Sequence, residues 1–179
     1  FDDTPPEFDF NDCDLNQPMP NGQLPLHRAI STNQMPLIKR MLAVGAKMKA
    51  VSQTQTSLTA AVDSQVPAMI AFVLSKGVTP AIKAKDGTTA LMRVADEASL
   101  KSILPLTPAA DVDARDAEGK TALMYAASRK LPAVVEALLA AKANPLIRSN
   151  VDRDAAWFAL KNQCTACFDA LLRAGVDPS

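Results

Sequence analysis

The sequence has few of the residues on which most catalytic sites depend. Its 179 residues include one histidine, three cysteines and six glycines, and aromatic side chains make up only 4%. With a single histidine there is little material for a Ser–His or Cys–His nucleophile. The glycine-rich phosphate loops GxGxxG and GxxxxGKS/T are both absent. We therefore expect a chain that is not an enzyme, with no catalytic residue and no cofactor.

Long apolar runs and dense metal-ligand clusters are lacking as well. No stretch reaches the ~18 apolar residues that a membrane-spanning helix needs, so we expect no membrane span. The acids at Asp111, Asp113, Asp116 and Glu118 are the nearest approach to a ligand set. They lack the ligand density of a calcium loop. We interpret them as solvated turn residues and expect no metal.

Charge is balanced overall but unevenly distributed. The 19 lysines and arginines equal the 19 acids, yet residues 1–20 contain six acids, four prolines and no base. Such a composition favours an extended arm over a helix, and it leaves residues 21–179 with a net charge of about +6. The acidic arm could bind this basic body or steer a partner. Because the chain begins at Phe1, we also expect that a preceding segment was removed, by the cell or by truncation.

What the sequence does contain is a repeated segment. Similar units begin at Leu24, Thr56, Thr89, Thr121 and Asp154, so the period is 32 or 33 residues. Self-similarity at this period indicates a stacked array of small modules, each of which buries its apolar face against its neighbours. The approximate bounds of the five repeats are 21–52, 53–85, 86–117, 118–150 and 151–179.

The fourth repeat predicts a pair of helices. Thr121 can accept a backbone N–H bond at the start of the first helix, and Pro132 suits the first position of the second. Small residues such as Ala126 allow close packing, whereas Leu138 belongs to a buried stripe. In three repeats a glycine follows the second helix, where a left-handed residue ends it without a steric penalty. Lys142 takes this place in the fourth repeat.

The third repeat departs from the pattern. It is one residue shorter than the second and contains Pro105 and Pro108 near its end. Because proline removes a backbone donor and clashes with the preceding turn, we expect a brief or irregular second helix. This repeat is the predicted weak point of the array.

These units resemble ankyrin repeats. LPLHRA at residues 24–29 is close to the family's TPLHxA signature, and MLAVGAKMKA, PAADVDARDAEGKTAL and LLRAGVDP resemble the stretch that joins one repeat to the next. The resemblance covers about residues 21–179. It implies an all-α solenoid, a curved stack of antiparallel helix pairs with β-hairpin-like finger loops. It also implies that His27 is a structural residue, whose place is taken in the other repeats by Thr59, Met92, Met124 and Trp157.

The resemblance further implies that another protein binds the concave face and the fingers. Transferred position by position, it predicts partner-binding residues in the fingers: Lys47, Lys49, Ile82, Lys85, Arg115, Asp116 and Arg148. On and beside the first helices it predicts Arg93, Tyr125, Arg129 and Phe158. Tyrosine and arginine often dominate interface energies, although packing between repeats is an alternative for the two aromatic residues. Nucleic acid is disfavoured, because the positive charge is modest and aromatics do not alternate with the basic residues.

The CxxC motif Cys164–Cys167 has three interpretations. Both residues fall on packing positions of the repeat, which favours buried thiols that act as small apolar side chains. In an oxidising compartment the pair could instead close a disulfide that staples the last repeat. A redox-active role requires a thiolate stabilised at the helix N-terminus, and no base or thioredoxin-like strand pattern accompanies it. Cys13 would be left over in the arm.

Three functions remain as hypotheses. The first is a non-catalytic module that sequesters or inhibits one partner protein and is a monomer when free. It is similar to bacterial ankyrin proteins that act as immunity proteins against toxins or secreted enzymes, which would place it in the periplasm or envelope rather than the cytoplasm. The second is a regulatory scaffold, or a fragment of a larger protein that recruits partners. The third is a thiol-active protective protein that uses Cys164 and Cys167.

Overall fold

The computed structural model describes residues 14–176, and this part of the chain is built from paired helices. Four regular pairs are α1 (Pro25–Ser31) with α2 (Met35–Ala43), α3 (Ser57–Asp63) with α4 (Pro67–Ser75), α8 (Ala122–Ser128) with α9 (Pro132–Ala140), and α10 (Ala155–Lys161) with α11 (Thr165–Arg173). The third repeat contains α5 (Ala90–Arg93), α6 (Glu97–Ile103), a 3₁₀ turn (Leu104–Leu106) and α7 (Ala109–Val112). Within the described residues there is no strand, only an isolated bridge between Val51 and Thr56. The expected all-α repeat fold is confirmed.

Side-chain caps and prolines fix where the helices begin. Thr56, Thr89, Thr121 and Asp154 each accept a hydrogen bond from the backbone N–H three residues ahead. Such a bond satisfies one of the donors that a helix N-terminus leaves unpaired. The second helices of the second and fourth repeats begin at Pro67 and Pro132, where the missing N–H costs nothing. Each repeat therefore specifies its own helix starts locally.

One continuous apolar core runs through the stack. The first helices α1, α3, α5, α8 and α10 pack in sequence on one side, and α4, α6, α9 and α11 pack in the same way on the other. Ile30, Ile38, Met69, Leu100 and Leu138 are among the fully buried side chains of this core. Each repeat thus buries its apolar surface against its neighbours, as in other solenoids.

The third repeat is irregular in both of its helices. As Pro105 and Pro108 predict, its second helix α6 has 7 residues, against 9 in the other repeats, and continues as a 3₁₀ turn. The first helix α5 has only 4 residues, which the prolines do not predict. Val94 leaves the helical conformation with ψ 129°. Asp96 then caps α6 by accepting the Ser99 N–H at 2.7 Å, so the repeat lacks a full turn of its first helix.

Left-handed backbone residues end the second helices. Gly45, Gly77 and Gly175 have φ of 99°, 75° and 91° at this position, and Lys142 adopts 67° in the fourth repeat. A non-glycine residue in this region carries a steric cost of roughly 1 kcal/mol. The chain therefore tolerates a small local strain at Lys142.

The end of the acidic segment packs on the first repeat. Leu15 is buried in the core. The side-chain amide of Asn16 donates to the Gly45 carbonyl at 3.3 Å and accepts the Lys47 N–H at 2.9 Å. The contact with the repeats therefore extends back to residue 15, into the segment interpreted from sequence as an arm. Residues 1–13, with Cys13, lie outside the described part of the chain.

Candidate functional site: the fingers and the concave face

The loops between repeats form fingers, each closed by a tight turn. The Ala84 N–H bonds the Thr88 carbonyl at 2.9 Å, and the equivalent bonds join Asp116 to Lys120 at 3.1 Å and Ser149 to Arg153 at 2.9 Å. Since the same bond recurs at the same place in successive repeats, the fingers project with a common orientation. Their tips form a row beside the first helices.

Backbone hydrogen bonds link each finger to the next. The Asp86 N–H donates to the Gln53 carbonyl at 2.9 Å, the Ala117 N–H to Asp86 at 2.7 Å, and the Asn150 N–H to Glu118 at 2.9 Å. This close approach requires glycine at position 119, where φ is 75° and a Cβ would lie 2.8 Å from the Asn150 nitrogen. The fingers therefore behave as one hydrogen-bonded ribbon.

Three predicted contact residues form bonds within or between these fingers. The Arg115 guanidinium donates to the Arg148 carbonyl at 2.9 Å and to the Gly119 carbonyl at 3.1 Å. Arg148 forms an ion pair with Asp152 at 3.0 Å. The Asp116 carboxylate accepts the N–H groups of Glu118 and Lys120, both at 2.9 Å. Arg115, Arg148 and Asp116 thus have partners within the array.

The predicted residues of the first two fingers have a different environment. Lys47, Lys49 and Lys85 are exposed, whereas Ile82 is partly buried against the core. These fingers present basic side chains to solvent.

A chain of polar contacts follows the first helices through repeats one to three. The Gln23 amide donates to the Gln55 side chain at 2.8 Å, and the Gln55 amide donates to Asp63 at 3.2 Å. Arg93 completes the chain with two bonds to the Asp63 carboxylate, at 3.1 and 2.6 Å. The bond to Asp63 raises the pKa of Arg93. The Gln23–Gln55 and Asp63–Arg93 bonds each join one repeat to the next. The Gln55–Asp63 bond lies within the second repeat and connects these two links.

The predicted residues Arg93, Tyr125 and Arg129 lie together on this face. Arg129 donates to the Met92 carbonyl at 3.0 Å, and its guanidinium lies 5.2 Å from the centre of the Tyr125 ring. Desolvation, followed by the charge of Arg93, lowers the pKa of Arg129. The Tyr125 hydroxyl donates to Asp116 at 2.7 Å, and burial together with this bond raises the pKa of Tyr125. The tyrosine therefore stays neutral and binds the finger to α8.

A groove lined by aromatic and basic side chains lies at the last two repeats. We call it the aromatic groove; its lining is Ala117, Glu118, Lys120, Asn150, Val151, Trp157, Phe158 and Lys161. The Lys120 ammonium lies 5.8 Å from the Tyr125 ring and 5.7 Å from the Phe158 ring. Trp157 packs edge-on against Phe158 with ring centres 5.1 Å apart. Phe158, predicted as a contact residue, is mostly buried and forms the floor.

Two further cations lie over Trp157 and form a cluster that was not predicted from the sequence. The Arg153 guanidinium is 4.7 Å and the Lys161 ammonium 4.9 Å from the indole ring. Cations near an aromatic face are attracted by its quadrupole. Trp157 and Lys161 are four positions apart on α10, a spacing that brings two side chains together on a helix and could have revealed this pair from sequence. Arg153 precedes the cap of the helix, so no such spacing indicates its place.

His27 links the first two repeats from a fully buried position. Its Nε2 lies 3.2 Å from the Ala50 carbonyl in the next finger, and its Nδ1 has no partner. Burial lowers the pKa of His27 to about 4, against a smaller opposing effect of the Ala50 bond. The imidazole is therefore neutral at physiological pH, with the Nε2 proton donated to Ala50.

Cys164 and Cys167 are joined by a disulfide at the start of α11. Both residues are buried, with 7% and 0% of their surface exposed. The bond closes the first turn of the last helix. Of the three interpretations of the CxxC motif, the structure shows the disulfide. A redox-active role stays a hypothesis.

Comparison with known protein families identifies a match. The family model described as "Ankyrin repeats (3 copies)" matches residues 67–149 and, in a second overlapping alignment, residues 91–179. The match covers more than half of the chain, and it includes the repeats that contain the aromatic groove. No curated protein matches the chain.

The helix pairs, the hydrogen-bonded fingers and the family match together define the class of protein. The chain is a helical repeat protein of the kind that binds other proteins. It belongs to the ankyrin-repeat family, whose members are in general protein-binding modules rather than enzymes. None of the helices in residues 14–176 combines the length and apolarity needed to cross a bilayer.

Proposed function

We propose that the chain is a non-catalytic inhibitor that binds one partner protein on its concave face and fingers and thereby sequesters it. The observation that carries the proposal is the clustering of Tyr125, Trp157 and Phe158 with basic side chains on one face of the last repeats. Aromatic and arginine side chains are enriched at the energetic centres of protein interfaces. A solenoid presents such residues on an extended surface, which suits a folded protein better than a small substrate.

The role of an immunity protein in the bacterial periplasm or envelope is the specific form of this proposal. The disulfide between Cys164 and Cys167 supports an oxidising compartment, because such bonds persist mainly outside the cytosol. A short array that blocks a secreted enzyme or toxin needs only a complementary surface. We further propose that the free chain is a monomer.

Capture of a partner followed by an activity assay tests the proposal. The full chain is immobilised, proteins from the source organism are captured, and the purified partner is assayed with increasing amounts of the free chain. A stoichiometric loss of the partner's activity is expected. A partner whose activity is unchanged at saturation would rule out inhibition and favour a scaffold.

Charge-reversal variants locate the binding face. The double variant Lys85→Glu with Lys161→Glu reverses one charge in a finger and one on the concave side. We expect it to weaken partner binding at least tenfold, because each charge contact at an interface is worth roughly 1 kcal/mol or more. Lys39→Glu with Lys101→Glu changes the total charge equally on the outer helices α2 and α6, where both lysines are exposed, and should bind as wild type. Equal affinity of both variants would refute the concave face as the binding surface.

A further inference from the structure

The aromatic groove has positive charge that the described residues do not neutralise. Glu118 pairs with Lys120 at 2.5 Å, and Asp152 pairs with Arg148. Asp154 accepts the Trp157 N–H as the cap of α10, and Asp116 accepts the Tyr125 hydroxyl. Within residues 14–176, Arg153 and Lys161 have no carboxylate at ion-pair distance, and both are exposed. Their charges are available to a ligand.

The groove also exposes apolar surface at a position that the other repeats bury. Trp157 occupies the place of His27, Thr59, Met92 and Met124, which are at most 1% exposed. Trp157 is partly exposed, and Val151 beside it is 70% exposed. The opening has a volume of about 420 Å³, which is enough for one large apolar side chain and a short length of backbone. An apolar surface with two cations beside Trp157 that lack a carboxylate partner has the chemistry of a site for an acidic peptide.

We propose that the aromatic groove binds an extended acidic segment of the partner, in which one large apolar side chain is flanked by carboxylates. The apolar side chain packs against Val151, Trp157 and Phe158. The flanking carboxylates pair with Arg153 and Lys161. This inference rests on the proposed function and names the part of the partner that the last two repeats recognise.

The choice of an acidic peptide follows from the charges and the shape. A basic or neutral segment would leave the positive charges of Arg153 and Lys161 without a counter-charge. A carboxylate beside each cation compensates for the water that is displaced when the apolar side chain binds. The bonds between neighbouring fingers keep Asn150 and Glu118 in fixed relation, so the groove is preformed, and little ordering of the protein opposes binding.

Trp157 makes the test direct, because it is the only tryptophan of the chain. The probe is the blocked hexapeptide Glu-Asp-Leu-Phe-Asp-Glu, titrated into the full chain with excitation at a wavelength that phenylalanine does not absorb. We expect a saturable change in Trp157 emission that weakens as salt is raised. Matched peptides have lysine in place of the four acids, or Gly-Gly in place of Leu-Phe. Both should bind at least tenfold more weakly.

Anisotropy of the labelled peptide then measures the variants, since changing a cation beside Trp157 alters its emission. Arg153→Gln with Lys161→Gln should weaken the acidic peptide about tenfold, corresponding to about 1.4 kcal/mol. Lys39→Gln with Lys101→Gln, on the outer helices, should leave the affinity unchanged. Loss of peptide binding in both variants, or in neither, would overturn the assignment of Arg153 and Lys161.

Other occupants give distinguishable results, and each would overturn the proposal. Stronger quenching of Trp157 by oligothymidylate than by the peptide would indicate a single-stranded nucleic acid. Trp157 emission that depends on protein concentration, with a dimer in sedimentation, would indicate a second copy. A shift of Trp157 emission in the full-length variant Glu7→Gln with Asp9→Asn would indicate the chain's own acidic segment. If a captured partner is inhibited while the acidic peptide does not bind, this inference fails and the proposed function stands.

Discussion

The first three repeats and the last two use the concave face differently. In the first three, Gln23, Gln55, Asp63 and Arg93 form a chain of hydrogen bonds whose charged members are paired with each other. In the last two, aromatic rings lie beneath cations, and two of these cations have no carboxylate partner within the described residues. Along the first helices, the same repeat pattern therefore gives paired charges in the first three repeats and two cations without a carboxylate partner in the last two.

This difference shows that a predicted contact position does not determine what its side chain does. Arg93 and Phe158 occupy equivalent positions after the histidine site, yet Arg93 braces the neighbouring repeat and Phe158 forms the floor of a groove. The outcome depends on whether the preceding repeat offers a partner such as Asp63. Four changes break or sharpen the comparison.

The largest expected effect is at the contact between the two fingers that line the aromatic groove. Gly119→Ala places a Cβ 2.8 Å from the Asn150 nitrogen, against backbone that cannot move independently. We expect a loss of about 3–4 kcal/mol in the free energy of unfolding, because steric conflict adds to left-handed strain. Urea denaturation measures it.

Gly45→Ala is the matched control, since Gly45 is also left-handed but has open space around the added Cβ. It should cost about 1 kcal/mol. Equal losses for the two variants would contradict close packing of the fingers as the cause.

The next effect concerns His27 in the first repeat and depends on pH. Burial lowers the pKa of His27 to about 4, whereas the unfolded chain has the ordinary value of about 6.5. Between these values the unfolded state binds the proton and the folded state does not, so stability falls as the pH drops from about 6.5 to 4. The loss approaches about 3 kcal/mol at the lower end, and above pH 6.5 this group contributes no slope.

His27→Met separates this effect from the titration of carboxylates, because Met92 and Met124 occupy the same buried position in other repeats. Unfolding free energies of both proteins are measured between pH 4 and 7.5. The wild type should lose more stability than the variant as the pH falls. Parallel curves would show that His27 is not the cause.

A smaller effect is expected at the Arg93–Asp63 ion pair, which joins the second and third repeats. A double-mutant cycle on Arg93→Gln and Asp63→Asn should give a coupling free energy of about 1 kcal/mol, as expected for a partly buried bidentate pair. The exposed pair Lys101–Glu97, treated in the same way, should give about 0.3 kcal/mol. A coupling for Arg93–Asp63 no larger than this would contradict the view that paired charges join the first three repeats.

The smallest expected effect is a gain. Lys142→Gly replaces a left-handed lysine by the residue found at this position in three other repeats. We expect stabilisation of about 0.5–1 kcal/mol, because relief of strain exceeds the added entropy of the unfolded chain. A thermal melt that shows no increase would indicate that Lys142 is unstrained.

Local signals in the sequence were sufficient for the architecture. The repeat period, the caps such as Thr121 and the prolines at positions 105 and 108 act over a few residues, and each predicted what the structure shows. The shortening of α5 was missed, because Val94 leaves the helix without any proline or glycine nearby. Only the position of Asp96, an early cap for α6, could have indicated it.

The site was less predictable because its contacts join distant residues. The Lys120 ammonium in the fourth repeat lies 5.7 Å from the Phe158 ring in the fifth, a contact that no local pattern indicates. Arg115 and Asp116, which stay predicted contact residues, also form hydrogen bonds within the chain, and the repeat pattern did not indicate these bonds. For Cys164 and Cys167 the sequence left three alternatives, since the redox compartment that decides between thiols and a disulfide is not encoded in the motif.

Hydrogen–deuterium exchange of the full chain, with and without the captured partner, tests the central claim most directly. The account predicts added protection in the finger turns at 116–120 and 149–153 and in α10, with no change in the outer helices α4 and α9. Protection confined to the outer helices, or none on the concave side, would contradict it.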